Sequence, residues 1–123
     1  MALTCLLVQH VFGDFYCQTR EVATKKSSEP RYLILHGAII SISLTLFAGI
    51  HSFLYGNWWC AITFVAANVL LHCAQDWHIW RFYKSRRDPL TPYYDDENFY
   101  LTIGIDQMLH VTVLIWTYIL LLA

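Results

Sequence analysis

The sequence predicts an all-α protein, a four-helix transmembrane bundle, on three observations. Of its 123 residues 57% are hydrophobic and only 14% charged; the apolar residues gather into four long segments; and the basic residues collect in two of the three connections between them. Such a composition is far more apolar than that of an average soluble domain. The four segments fall at about 2–18, 32–54, 58–80 and 99–122, and residues 1–123 read as a single integral membrane domain. A spanning helix needs about 20 apolar residues, so the first segment is short and the second and fourth are comfortable.

The first segment has no basic lead-in and no small-residue cleavage pattern, and His10 and Asp14 interrupt it, so it reads as a retained helix and not as a signal peptide. The connection that follows, "TREVATKKSSEPR", carries Arg20, Lys25, Lys26 and Arg31, and its Ser pair and Pro30 mark a loop. The second segment is apolar on every face, unlike the striped surface of a soluble bundle helix. Gly56 and Asn57 give a turn, with Tyr55, Trp58 and Trp59 as an aromatic belt. The third segment runs into Arg81, Lys84, Arg86 and Arg87, and Pro89 and Pro92 mark the last loop. By the positive-inside rule both basic loops are cytoplasmic and both termini outside. The expected location is a bacterial inner membrane, with the chain of phage or bacterial origin.

Composition also excludes functions. A net charge of −1, with no basic stripe along a helix, gives no support for nucleic-acid binding. Cys5, Cys17, Cys60 and Cys73 lack metal-finger spacing and read as small apolar residues.

Three pairs carry the chemistry: His10 with Asp14, His72 with Asp76, and Asp106 with His110. Each is spaced i, i+4, which puts both side chains on one helical face. With alternating helix directions every Asp lies nearer the basic loops, at roughly 6–10 Å from the helix ends, and every His at roughly 12–17 Å. His36, five residues past Arg31, falls in the Asp layer. Ionisable groups in a membrane interior are tolerated when they pair, bind an ion or face water. His10, Asp14, His36, His72, Asp76, Asp106 and His110 are therefore expected to ligate one or two divalent transition metals, Zn, Mn or Fe. Ligands beyond one metal's needs would serve as general acid or base, with Asp14, His36, Asp76 and Asp106 the catalytic candidates. Gln18, Asn68 and Gln107 extend the stripe as residues that orient a ligand or contact substrate, or else hydrogen-bond between helices. A ferritin-like di-iron site is disfavoured because Glu is absent from every span. His51, near the outer end, and His78, off the His72/Asp76 face, are expected in plain interfacial roles.

The order "HVFGDFYCQ", "LHG", "HCAQDWHIW" and "FYLTIGIDQMLHV" resembles the DUF3307 family of small bacterial and phage membrane proteins. The matching residues are His10, Asp14, Gln18, His36, His72, Asp76, Asp106, Gln107 and His110. One departure is that the family's "HxxxDxxK"-like run reads "WHIWRFYK" here, leaving Arg81 or Lys84 as substitutes for the lysine. The resemblance implies a multi-pass membrane protein and supplies no activity.

From the residues themselves the leading expectation is a metal-dependent hydrolase acting on a lipid headgroup or lipid-linked phosphate from the cytoplasmic side. The alternatives are a proton or ion pathway built from the same cluster, and a structural protein with the metal as a staple. A polar relay should cross the whole bilayer, whereas "VTVLIWTYILLLA" after His110 holds only apolar groups and hydroxyls. Gly37, Ala38, Ser41 and Ser43 offer a small-residue face for a homodimer.

Overall fold

Helices account for nearly all of the computed structural model, which describes residues 2–123, and no strand occurs among them. Helix α1, Ala2–Val11, passes without a break into a π turn, Phe12–Tyr16, whose register is marked by the Cys17 amide donating to the Phe12 carbonyl at 3.1 Å. A short helix α2, Arg20–Lys25, starts at Thr19, whose hydroxyl accepts from the Val22 amide, the usual way a helix start satisfies a free N–H. Then come α3, Pro30–Tyr55, α4, Trp58–Arg86, a 3₁₀ turn at Tyr93–Asp95, and α5, Glu97–Leu121. Pro30 sits where its missing N–H costs nothing, and Gly56, at φ 75°, ends α3 in the left-handed region that favours glycine.

Three helices, α3, α4 and α5, are long and apolar enough to cross a membrane. The expected first span is not among them: α1 has ten residues and the π turn five, short of the ~20 a crossing needs. The third segment is longer than expected, running to Arg86, so Arg81, Lys84 and Arg86 lie on the last turns of α4, where cations complement the helix dipole. The first basic connection also contains α2.

α4 lies between α3 and α5 and packs along both, and α1 rests mainly on α3. Leu6, Ile40, Leu44, Ala48, Ala61, Phe64, Leu114 and Leu122 form a buried apolar core. Ile34, Ile42, Leu46, Phe53, Leu70 and Ile119 face outward, as helices in lipid require. Two of the small residues expected to face a second copy are used within the chain: Gly37 lies against Cys73 of α4, and the Ser43 hydroxyl donates to the Gln9 carbonyl at 3.2 Å.

Candidate metal centre

The i, i+4 spacing on α4 and α5, and the α1–π-turn continuation, aim six ionisable side chains at the space between the helices, and α3 adds His36. All seven are buried. His36 Nε2 lies 2.8 Å from His72 Nε2, 3.0 Å from Asp76 Oδ2 and 3.3 Å from Asp14 Oδ1. His72 Nε2 lies 3.4 Å from Asp76 Oδ2 and 3.7 Å from Asp14 Oδ1. On the other side of His72, its ring stacks on His110 with centroids 4.0 Å apart, and His10 stands 5.5 Å from His72 and 5.8 Å from His110. Asp106 Oδ1 is 3.8 Å from His110 Nδ1.

These residues form three overlapping groups: His10, His72 and His110; Asp14, His36, His72 and Asp76; and Asp76, Asp106 and His110. Within each, one ligand atom per residue lies within 4.8 Å of the others. Ligands at ~2.1 Å from a tetrahedral ion are ~3.4 Å apart, so a small closure brings any group to bonding distance. Several ligand atoms are buried without a hydrogen-bond partner: His10 Nε2, both nitrogens of His110, His36 Nδ1 and Asp106 Oδ1. Buried polar atoms are almost always paired. These groups could hold a metal ion.

Lys26 was read from the sequence only as a topology-setting charge; the structure buries it at the cluster. Its ammonium lies 2.9 Å from Asp76 Oδ2, 3.5 Å from Asp14 Oδ1 and 3.3 Å from His36 Nε2. Burial works to lower the Lys26 pKa, but Asp76 and Asp14 together outweigh it and hold it above the ordinary lysine value. This ammonium comes from the C-terminal end of α2. The signal in the sequence was slight: Lys26 follows Val22 by four residues, so it shares the buried face of α2. Lys84 does not reach Asp76 and instead fastens the α2–α3 connection, donating to the Thr24 carbonyl at 2.7 Å and to Ser27 Oγ at 2.8 Å. With neutral imidazoles, three carboxylates against one ammonium leave two negative charges, which one divalent cation cancels.

The polar neighbours divide. Gln107 Nε2 donates to Asp14 Oδ2 at 2.8 Å, and Gln18 donates to the Asp14 carbonyl. Trp80, unremarked in the sequence, donates from Nε1 to Asp106 Oδ2 at 3.3 Å. Asn68 is engaged elsewhere, donating to the Phe64 carbonyl and to Thr117 Oγ1, both at 2.8 Å. His51, near the end of α3, is buried beside Tyr55 and Tyr118; His78 faces outward.

A cavity of about 320 Å³ adjoins the cluster. Its lining includes the polar Asp14, Lys26, Asp106 and Gln107 and the apolar Phe15, Trp80, Tyr93, Phe99 and Ile103. In the other direction the polar track passes His110 and ends at the Asn68–Thr117 pair, beside the buried apolar Leu44, Phe64 and Leu114.

Fold and cluster together define an all-helical protein with three helices of membrane-crossing character and buried His/Asp groups that could hold a metal ion. The sequence matches the family described as Protein of unknown function (DUF3307) over residues 2–123, and the chain belongs to that family. No curated protein and no solved structure matches it.

Proposed function

We propose that this chain is a membrane-embedded, metal-dependent hydrolase of a lipid headgroup or lipid-linked phosphate, reached from the end that carries the basic residues. In a bacterial inner membrane that end would be cytoplasmic. The observation that carries the reading is the convergence of His10, His72 and His110 from three helices, with His10 and His110 nitrogens left unpartnered, beside a cavity lined by both polar and aromatic residues.

His10, His72 and His110 would hold the metal, with Asp76 completing the set. A bound divalent ion supplies Lewis acidity toward a phosphoryl oxygen and makes water a better nucleophile near neutral pH. The chain's own groups do the rest. Asp106, which lines the cavity and is steadied through Oδ2 by the Trp80 indole, would take a proton from a water there. Gln107 and Gln18 fix Asp14. The rings of Phe15, Trp80, Tyr93 and Phe99 would accept the apolar part of an amphiphile, while Lys84 at the wall attracts its anionic head. Leu44, Phe64 and Leu114, buried and apolar, lie between the cluster and His51 near the far end of α3, which favours a one-sided site over a relay across the bilayer.

The test is hydrolysis of phosphorylated lipids in mixed micelles by metal-loaded protein, wild type beside Asp106→Asn. The reading expects turnover in the wild type and a loss of about 10²–10⁴-fold in the variant with metal still bound. Absence of turnover from a panel of lipid phosphomonoesters and phosphodiesters, with metal bound, would remove the hydrolase reading.

A further inference from the structure

The ammonium of Lys26 occupies a place that a metal ion's ligands surround. Asp14 Oδ1, Asp76 Oδ2 and His36 Nε2 all lie within 3.5 Å of its nitrogen, and the first two belong, with His36 and His72, to one of the groups of metal-ligating geometry. The side chain is 7% exposed, so it is no surface charge that happens to pass by. The oxygens and nitrogens around it are those that a hard or borderline divalent cation prefers. His36 is wholly buried, its Nδ1 has no partner, and its Nε2 faces this point together with His72 Nε2. In the His10/His72/His110 group, by contrast, His10 Nε2 and the His110 nitrogens have no partner.

We infer that Asp14, His36 and Asp76 form a second cation position which Lys26 fills as a built-in substitute, so that the native chain takes one divalent metal where its ligands could take two. The inference rests on the metal-binding reading above for the first ion, but the two fail separately. Lys26 follows the short helix α2, on a connection pinned by Lys84 through Thr24, Ser27 and Ser28. Holding the ammonium in the cradle is therefore a task of this connection, and withdrawing it opens the cradle on the cavity lined by Trp80 and Phe99.

The experiment counts zinc and manganese per chain by mass spectrometry after equilibrium dialysis of detergent-purified protein, for wild type, Lys26→Met and Lys26→Arg. The expected counts are about one for the wild type and the Arg variant and about two for Lys26→Met. Lys26→Met should also gain thermal stability with added metal by more than the wild type does, since its two carboxylates lack a countercharge until the second ion binds. One metal in both wild type and Lys26→Met overturns the second position and leaves the first intact. No metal in the wild type but one in Lys26→Met supports the cradle and refutes the proposed function. No metal in either refutes both. If Lys26→Met does not fold, Lys26→Gln, which keeps a donor for Asp76 without the charge, is read by the same counts.

Discussion

Replacing Gly37 by Ala tests the close approach of α3 and α4 that brings His36 to His72. A Cβ at position 37 would stand 2.8 Å from Cys73 Sγ and 3.8 Å from Val69 Cγ1, so the sulfur must move by several tenths of an ångström or the helices must part. Overpacking of this kind costs about 1–3 kcal/mol. Against it, Ala is better than Gly inside a helix by about 0.8–1 kcal/mol. The balance for Gly37→Ala is a destabilisation of about 1 kcal/mol. In a Cys73→Ala background the obstructing sulfur is gone and only the helical gain remains, so the sign reverses. Thermal unfolding in a single detergent, across wild type, both single variants and the double variant, measures the coupling, expected at about 1–3 kcal/mol. Gly37→Ala with the same effect in both backgrounds would refute the reasoning.

Asn68→Ala should cost about 0.6 kcal/mol, the usual worth of an interhelical hydrogen bond in a membrane protein, and should leave the metal count unchanged; loss of metal would place Asn68 among the ligands after all. Outside the spans, the Tyr32 hydroxyl and then Lys25 hold the exposed Glu21 carboxyl below its ordinary pKa. A depressed carboxylate stabilises the fold above the unfolded pKa and loses that contribution as pH falls through the folded one. Tyr32→Phe should therefore return the Glu21 titration, followed by NMR, toward the ordinary value; an unchanged titration would assign the effect to Lys25 alone.

The shared faces of His72/Asp76 and Asp106/His110 were legible because an uninterrupted α-helix fixes i, i+4 neighbours whatever surrounds it. His36 was legible by depth alone, counted from the end of its helix. The π turn at Phe12–Tyr16 was not, because hydropathy does not register a shift in backbone bonding; it ends the first segment as a span and turns Asp14, behind the tightly packed Gly13, into the cluster. Lys26 escaped for a different reason. A pair of lysines before two serines looks solvated, but α2 packs on α3, with Lys84 of α4 bonded to Ser27, and the second lysine is buried. Asn68 shows the converse: its register on α4 points along the stripe, yet Thr117 lies nearer than any ligand.

The central claim is that the His/Asp cluster holds a metal through imidazoles from α1, α4 and α5. Its most direct test is X-ray absorption spectroscopy of zinc-loaded protein, wild type beside His110→Ala. The account predicts nitrogen and oxygen scatterers at about 2.0–2.1 Å with multiple scattering from about three imidazoles, reduced by about one in the variant. A spectrum of hydrated zinc, the same in both proteins, would contradict it.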